Sequence, residues 1–228
     1  MNYPSTFEMP TTDPMTGLLN ATYFRHLLRE QLMPQAQASG EPLSLALFDL
    51  DSFMAANTTY GRKAGDAMLR GVVDAVRATL PETAVVVRNG GDEFGVVLPE
   101  TRLDDAFTLM EELRRHIAAL TFPDWPDLHF TCSVGLAGFP AHGASDVELV
   151  READQALYLA KTTGRNKVAL PITDSRMITK TSYYTATQLE RLSQLAKTVK
   201  RNEATLLREA LDDLIKKYTE RLAAPPQI

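Results

Sequence analysis

Two pairs of acidic side chains could carry chemistry in this sequence, because each pair lies where an apolar run ends or turns. Asp49 and Asp51 close the run LSLALFDLD, and Asp92 and Glu93 follow the glycines of RNGGDEFGVV. Carboxylates held close together repel one another and take up protons unless a cation compensates them. Mg²⁺ (or Mn²⁺) beside a bound triphosphate would resolve that repulsion and suits phosphoryl or nucleotidyl transfer. The same acids could instead be surface residues of a hairpin, and their spacing leaves both interpretations open.

The apolar runs around these acids predict strands. LSLALFDLD is almost continuously apolar, which favours a strand covered on both faces. AVVVRNGGDEFGVVLP predicts a strand, a turn and a second strand, because Asn89-Gly90 is a strong signal for a two-residue hairpin turn with positive φ at both residues. If these strands are neighbours in a sheet, the carboxylates meet at one end of it.

Helical patterns alternate with strands up to Pro171. One helix begins near Asn20, TTYGRKAGDAMLRGVVDAVRATL predicts a loop followed by a second helix, a third helix spans about 102–120, and a fourth covers DVELVREADQALYLAKTTGR. The order α-β-α-β-β-α-β-α-β predicts an α+β fold class in which helices pack on a sheet.

A different pattern follows Pro171. KTSYYT is a short strand-like run, and two amphipathic helices come after it, with Asn202 as the N-cap of the second. The inward face of the first helix is predicted to contain Leu189, Leu192 and Leu195 or Ala196. One strand and two helices are too little for a stable core. We therefore expect this segment to dock on the rest of the chain or to fold as an obligate dimer.

Composition narrows the class of protein. The chain has 228 residues and a net charge of −5, with 14 basic against 22 acidic residues up to Pro171 and 10 against 7 beyond it. This asymmetry favours two modules with different partners, although a solvated helical surface would look the same. The single cysteine, Cys132, lies in an apolar run, so we expect a buried thiol in a reducing cytoplasm. No run approaches the roughly 20 residues of a membrane span, so no membrane partner is expected.

Five segments occur in the order found in the GGDEF family, the diguanylate cyclases. RNGGDEF resembles the family signature, DPMTGLLN its opening motif, and FDLDSFMAANTTYGRKAGD its metal- and guanine-binding segment. SVGLA and ADQALYLAKTTGRNKV resemble its closing motifs, so the resemblance covers about 13–170. It implies a palm-like sheet flanked by helices, as in nucleotidyl cyclases. It also implies condensation of two GTP molecules into cyclic di-GMP and pyrophosphate by two facing subunits.

The resemblance implies a role for each matching residue. Asp49, the carbonyl of Leu50 and Asp92 would hold Mg²⁺, and Glu93 would add a ligand or help to deprotonate the attacking 3′-hydroxyl. Five further positions are implied in nucleotide binding, which are Phe53 (backbone N–H groups at the phosphates), Asn57 and Asp66 (the guanine edge), and Lys161 and Arg165 (the triphosphate).

Some positions depart from the family's pattern. Met54 replaces a lysine that usually lies beside the phosphates, and Arg62 replaces a histidine. The product-inhibition motif Arg-x-x-Asp reads Pro81–Ala84 here, so we expect weak or no feedback through it. The metal and guanine positions are intact, which favours an active cyclase. The alternative is a catalytically weak or inactive regulator of transcription that senses a nucleotide.

The segment KTSYYTATQLERLSQLAKTVKRNEATLLREALDDLIKKY resembles the ribbon-helix-helix DNA-binding family. In that family two strands pair across a homodimer axis and enter the major groove of double-stranded DNA. The residues facing DNA would be Thr179, Thr181 and Tyr183, or Lys180 and Ser182 in the opposite register. Arg201 and Asn202, at the start of the second helix, would bind phosphate through backbone N–H groups. Dimerisation alone, or a helical hairpin docked on the body, remain open alternatives.

The domain boundaries follow from these patterns. We predict five segments, which are a flexible lead-in (1–12), a GGDEF-like catalytic domain (13–171), a linker (172–178), a ribbon-helix-helix-like module (179–222) and a tail (223–228).

Overall fold

The computed structural model describes residues 10–171, 184–199 and 201–223. The chain divides into two compact units, Met1–Arg176 and Met177–Ile228. Residues 1–9 of the predicted lead-in lie outside the described residues, as does the predicted strand KTSYYT up to residue 183. At the end of the lead-in, the carbonyl of Thr11 accepts a hydrogen bond from the N–H of Asn20, and Thr12 pairs with Leu19.

The first unit is built on one mixed sheet of six strands. The strands are β1 (Leu19–Asn20), β2 (Leu43–Asp51), β3 (Val85–Gly90), β4 (Glu93–Pro99), β5 (Thr131–Phe139) and β6 (Val168–Ala169). They lie in the order β1-β3-β4-β2-β5-β6. The central strand β2 runs antiparallel to β4 and β5, and β3 runs antiparallel to β4. The short edge strands β1 and β6 are parallel to their neighbours.

Helices cover both faces of this sheet, which confirms the predicted α+β class of a sheet flanked by helices. They are α1 (Ala21–Leu27), α2 (Met33–Ser39), α3 (Phe53–Tyr60), α4 (Arg62–Thr79), α5 (Leu103–Ala118) and α6 (Asp146–Thr162). A π-helical segment, Leu28–Leu32, joins α1 to α2. The helix predicted from about Asn20 begins at Ala21, and Asn20 caps it, since its side chain accepts a hydrogen bond from the N–H of Tyr23 at 2.9 Å.

Strand β2 is buried on both faces because its side chains alternate between two hydrophobic cores. Phe48 lies in the core formed with α4 and α5, whereas Leu45 and Leu47 lie in the core formed with α1 and α6. By the same alternation, Asp49 and Asp51 share the face of the sheet that α6 covers. The buried strand predicted from LSLALFDLD is therefore confirmed.

One helix was not predicted. The run after β2 was expected to be a loop before α4, but α3 occupies Phe53–Tyr60. Phe53, Ala56 and Tyr60 are partly buried against the core, a spacing that places them on one side of a helix. Gly61, with φ of 83°, then separates α3 from α4.

The second unit contains α7 (Ala186–Val199) and α8 (Glu203–Ala223). Asn202 caps α8 as predicted, because its Oδ1 accepts from the N–H of Thr205 at 2.7 Å. Ala196 is buried and Leu192 is partly buried, so the predicted inward face is confirmed in the alternative that contains Ala196, while Leu195 is 50% exposed. Leu189 is 46% exposed, so its prediction as an inward residue is wrong for the single chain. The packing of α7 on α8 within one unit covers only one side of α7.

None of the helices in the described part of the chain is both long enough and apolar enough to cross a membrane.

Candidate active site

Asp49 and Glu93 are directly opposite one another in the antiparallel pair of β2 and β4. Side chains in such a pair point to the same face of the sheet, with Cβ atoms about 4.5–5.5 Å apart. The N–H of Leu50 donates to the carbonyl oxygen of Asp92 at 3.2 Å. The fold therefore brings the carboxylates of residues 49, 92 and 93 to the same end of the sheet.

The hairpin turn is displaced from its predicted position. Gly90 pairs with Glu93, so the two turn residues are Gly91 and Asp92 instead of Asn89 and Gly90. Positive φ occurs at Gly90 (136°) and Gly91 (55°), while Asn89 lies at a shift in the register of β3. An extra residue of this kind is a bulge, which bends its strand locally. Because of the shift, Asp92 lies in the turn itself.

Arg88 fixes the tip of this hairpin. Its Nε and Nη2 donate to the carbonyl of Gly91 at 3.0 and 2.6 Å, and its Nη1 donates to Oδ1 of Asp13 at 3.1 Å. The same Asp13 oxygen accepts from the N–H and the hydroxyl of Thr16. Burial raises the pKa of Asp13, but the bonds from Thr16 and Arg88 and the arginine charge outweigh it, so the net pKa is lowered. The Arg88 side chain thus bonds both to Asp13, in the opening segment, and to Gly91, in the hairpin turn.

The Asp49 carboxylate is only 13% exposed and forms an ion pair with Nζ of Lys161 at 2.9 Å. Burial raises the pKa of Asp49, the bond and the charge of Lys161 lower it, and repulsion from Asp92 and Glu93 raises it again. The net pKa is raised although a lysine is bound. Burial is the largest of these contributions, and the charges of the two neighbouring acids add to it.

Helix α6 can deliver its basic residues to these acids because it lies directly on the sheet. A Cβ at Gly135 of β5 would be 2.1 Å from the carbonyl oxygen of Ala153 and from the backbone nitrogen of Leu157. Only glycine permits this approach. Lys161, near the end of α6, then reaches Asp49.

The carboxylate of Asp51 is occupied by hydrogen bonds within the fold. It accepts hydrogen bonds from the hydroxyls of Thr131 (2.6 Å) and Ser133 (2.8 Å) and from the N–H of Asn166 (3.2 Å). Nε of Arg165 lies 3.9 Å from it. The sequence grouped Asp51 with the other acids, but these partners use its oxygens to hold β5 and the loop after α6.

The two residues implied in guanine binding are brought close by a glycine. Asn57 on α3 packs against Gly65 on α4, where a Cβ would be 2.1 Å from the Oδ1 of Asn57. Asp66 is the next residue of α4 and is partly buried. The importance of Gly65 was not recognised from the sequence, although an isolated glycine inside a helical pattern signals close packing.

Helix α3 begins at Phe53, where backbone contacts to phosphate were implied. Its N-cap, Ser52, has φ of 64° and among the described residues gives the first turn no side-chain cap. The first N–H groups of a helix have no partner within the helix. Met54 lies beside them on the surface and is 80% exposed, so no ammonium group replaces the lysine usual at this position.

The donor set at the acidic end fits Mg²⁺, which binds to one or two carboxylates together with phosphate oxygens and water. Across the described residues, no three His, Cys, Asp or Glu side chains are grouped so as to hold a metal ion. The protein would supply three ligands to the metal, which are the carboxylates of Asp49 and Asp92 and the carbonyl of Leu50. The remaining ligands would be oxygens of a bound nucleotide.

Residues 10–167 match the family described as diguanylate cyclase, GGDEF domain. The chain belongs to the GGDEF family. Residues 179–219 match the ribbon-helix-helix domain. The predicted order of a GGDEF domain followed by a ribbon-helix-helix domain is therefore confirmed.

Relatives of the GGDEF domain share about a third of its residues. The response regulator PleD of Caulobacter vibrioides is 33% identical over 170 residues, which are 73% of this chain and 37% of PleD. The diguanylate cyclase DgcP of Pseudomonas aeruginosa is 39% identical over 158 residues, which are 69% of this chain and 23% of DgcP. The chain thus spans about a third or less of the length of these relatives.

Solved structures confirm the fold. The GGDEF domain of TpbB (YfiN) from Pseudomonas aeruginosa superposes with a TM-score of 0.67 at 30% identity, covering 70% of this chain and 94% of that one. The GGDEF domain of DgcB from Caulobacter crescentus, solved in complex with c-di-GMP, gives 0.64 at 28% identity, covering 72% and 97%.

Of the residues implied in DNA binding, Thr179, Thr181 and Tyr183 lie outside the described residues. Arg201 forms an ion pair with Glu209 at 2.9 Å, and its N–H donates to the carbonyl of Ala196. The side chain of Arg201 is therefore bound to α8 and its backbone N–H to α7, so Arg201 links the two helices of the C-terminal unit. Asn202 serves as the cap of α8.

Proposed function

We propose that residues 10–167 form a diguanylate cyclase that condenses two GTP molecules into cyclic di-GMP and pyrophosphate. The observation that carries the proposal is the grouping of three acids at one end of the sheet, where Asp49 lies opposite Glu93 and the carbonyl of Asp92 accepts from the N–H of Leu50. Carboxylates gathered in this way suit a divalent cation that also binds phosphate oxygens. Relatives named as diguanylate cyclases, such as DgcP, support the same reaction.

The metal would be Mg²⁺ or Mn²⁺, held by Asp49, Asp92 and the carbonyl of Leu50. When bound, it would polarise the attacking and the leaving oxygens of the transfer. Glu93, which is exposed on the same face as Asp49, would take the proton of the 3′-hydroxyl or add a ligand. The 3′-hydroxyl oxygen of each GTP would form a bond to the α-phosphorus of the other, and each bond from α-phosphorus to pyrophosphate would break, so that two pyrophosphates leave.

The guanine base would be held by Asn57 and Asp66. A carboxylate suits guanine because two neighbouring N–H donors of the base point in one direction, and the amide of Asn57 can bond the same edge. The packing of Asn57 against Gly65, next to Asp66 in the chain, supports a joint site.

The triphosphate would be bound by Lys161, Arg165 and the N–H groups near Phe53. Both basic side chains lie beside acids at the end of β2. When nucleotide and metal are bound, each basic side chain would contact a phosphate as well as its carboxylate. Backbone N–H groups at a helix start favour anions, and the first turn of α3 has no side-chain cap from Ser52.

The test is turnover by the purified full chain with GTP and Mg²⁺, with nucleotides resolved by chromatography. We expect cyclic di-GMP, and we expect Asp92→Asn to lower the rate roughly a hundredfold or more, since metal stabilisation is worth several kcal/mol. Asp74→Asn, at an exposed acid on α4, is the matched control and keeps the rate. Absence of cyclic di-GMP at high enzyme concentration would defeat the proposal.

We also propose that the C-terminal unit forms a homodimer that binds double-stranded DNA. Its helices leave a set of apolar side chains exposed in the single chain, and these are Leu189, Leu195, Val199, Leu211, Leu214, Ile215 and Tyr218. Exposed apolar surface of this extent is typical of an interface. The match to the ribbon-helix-helix domain supports pairing of two copies.

A dimer would also serve catalysis, because the reaction needs two nucleotide-loaded domains that face each other. A shared module raises the effective concentration of the second domain, commonly to about millimolar for short flexible linkers. Sedimentation of the full chain tests the dimer, and Leu214→Lys is expected to give monomers and to slow turnover at low protein concentration. Dimers that persist in Leu214→Lys would place the interface elsewhere.

DNA binding is tested with a pool of randomised duplexes in a mobility-shift assay at several salt concentrations. We expect the affinity to fall as salt rises, because phosphate contacts release counterions. Thr181→Ala and Tyr183→Ala are expected to weaken the selection of particular sequences. No retention of any duplex at low salt would leave the module with dimerisation alone.

A second candidate function is favoured by Met54, which removes a cation from the side of the phosphates and is 80% exposed. In that case the chain is a regulator of transcription that senses a nucleotide with little or no turnover. The two candidates are separated by measuring GTP binding and turnover on the same sample. Binding without any dinucleotide supports the sensor, and Met54→Lys would then be expected to restore turnover.

A further inference from the structure

The loop that carries Arg165 has an unfavourable backbone conformation. Gly164, Arg165 and Asn166 have φ of 113°, 58° and 47°, so two residues with side chains occupy the left-handed region that normally suits glycine. Such a conformation persists only where neighbouring groups hold it in place. The groups that hold this loop therefore decide where the Arg165 guanidinium lies.

The N–H of Arg165 itself donates to the carbonyl of Ala160 at 2.9 Å, and two further anchors act on Asn166. Its backbone N–H donates to Oδ2 of Asp51 at 3.2 Å, from the end of β2. Its side-chain Oδ1 accepts from Nη1 of Arg114 at 2.7 Å, from helix α5. The N–H of Val168, two residues later, donates to Oε1 of Glu111 at 3.3 Å.

The arginine of the second anchor is itself fixed. Nε of Arg114 donates to Oε1 of Glu111 at 3.0 Å, and Nη2 donates to Oε2 at 2.8 Å. This two-bond contact uses the planar fork of the guanidinium and leaves Nη1 directed at Asn166. The side chains of Arg114 and Glu111 are 15% and 20% exposed, so water competes little for these bonds.

The pair connects the two layers of the domain. Helix α5 packs on one face of the sheet and α6 on the other, and the loop after α6 leads to β6 at the edge of the sheet. The bond from Arg114 on α5 therefore fixes the position of Asn166, which follows α6.

We propose that Glu111 and Arg114 are a positioning pair that presents Arg165 to the phosphates of the nucleotide through Asn166. Among the described residues the bonds of this pair go to each other, to Arg115, to Asn166 and to Val168, and neither residue is among those proposed to hold the metal. The inference rests on the proposed function, because it assumes that Arg165 contacts phosphate.

The test is a double-mutant cycle read by binding of a fluorescent, non-reacting GTP analogue to the full chain with Mg²⁺. Loss of a charge-assisted phosphate contact in Arg165→Met should weaken binding about tenfold or more. Arg114→Met should weaken it by a smaller factor, of about three- to tenfold. The double variant should bind as Arg165→Met does, because Arg114 acts only through Arg165.

Two variants separate positioning from a general loss of structure. Asn166→Gly keeps the left-handed backbone but removes the acceptor of Arg114, and it should weaken binding as much as Arg114→Met while unfolding at the same temperature. Arg77→Met, at an exposed arginine on α4, is the matched control and should bind like the wild type.

Additive losses in the cycle would overturn the inference, as would wild-type affinity in Asn166→Gly. These outcomes are independent of turnover. A chain that binds the analogue and gives the non-additive cycle but forms no cyclic di-GMP would support the positioning pair and defeat the cyclase. Turnover with an additive cycle would do the reverse, and no binding by the wild type would overturn both.

Discussion

Replacement of Gly65 by alanine tests whether Asn57 reads the guanine base. The new Cβ would lie 2.1 Å from Oδ1, 2.8 Å from Cγ and 3.0 Å from Nδ2 of Asn57. Non-bonded carbon contacts are favourable near about 3.5–4.0 Å, so the amide must rotate away. The atoms that clash all belong to one side chain, so the backbones of α3 and α4 can stay where they are.

The effect on stability is expected to be small. Alanine in a helix is favoured over glycine by roughly 0.5–1 kcal/mol, and a strained side-chain torsion at Asn57 costs of order 0.5–1.5 kcal/mol. These two contributions nearly cancel. Binding is different, because displacement of Asn57 removes one or two hydrogen bonds worth about 0.5–1.5 kcal/mol each. The dissociation constant for GTP should therefore rise by roughly two- to a hundredfold.

The assay combines titration of a fluorescent GTP analogue with thermal unfolding of the same samples. Gly71→Ala on the same helix is the matched control, because its Cβ would meet Leu120 and Phe122 at 3.2–3.4 Å and no implied nucleotide ligand. We expect Gly71→Ala to bind like the wild type.

Unchanged affinity in Gly65→Ala would refute the role of Asn57 in binding the base. A large fall in unfolding temperature would instead refute the reasoning on strain, since it would mean that the backbones of α3 and α4 move to relieve the clash.

Three further predictions concern pH, the thiol and feedback. The pKa of Asp13 is lowered in the folded chain, so its stabilising contribution is full above its unfolded pKa of about 3.9 and is lost as the pH falls through the folded value. In urea titrations, Asp13→Asn should therefore be less stable than the wild type at pH 7, with a gap that closes in acid. Burial, followed by the charge of Asp51, raises the pKa of the Cys132 thiol, so Ellman's reagent should react only as the chain unfolds. Cyclic di-GMP at micromolar concentration should leave turnover unchanged, because Pro81–Ala84 contains no arginine.

Each of these has a clear contrary result. A stability gap for Asp13→Asn that is the same at every pH would show that its bonds do not depend on charge. Rapid labelling of Cys132 in the native chain would contradict its burial. Product bound at Pro81–Ala84, with clear inhibition, would contradict the feedback prediction.

The sequence predicted those features that depend on neighbouring residues. The apolar run of β2 predicted a buried strand, and Asn202 before an amphipathic run predicted the cap of α8, because these signals are local. The turn was misplaced because the choice between Asn89-Gly90 and Gly91-Asp92 depends on the register of β3 against β4. Register is set by packing of the whole sheet.

Contacts between residues far apart in the chain could not be predicted from local sequence patterns. The bonds from Arg114 and Asp51 to Asn166 join positions 52 and 115 residues apart, and no periodicity indicates them. The helical faces of α7 and α8 indicated that apolar side chains would be covered. They did not indicate which of Leu195 and Ala196 would be covered in the single chain, where Ala196 is buried and Leu195 is exposed.

The central place of β2 has a consequence for how the site moves. Both of its edges are bonded, to β4 and to β5, along most of its length, and its two cores cover it above and below. Segments of this kind open to solvent most rarely, so their amide protons exchange close to the rate of global unfolding. The acids at the end of β2 are thus attached to the slowest-exchanging part of the domain, while the hairpin tip and the loop after α6 can open locally around a fixed point.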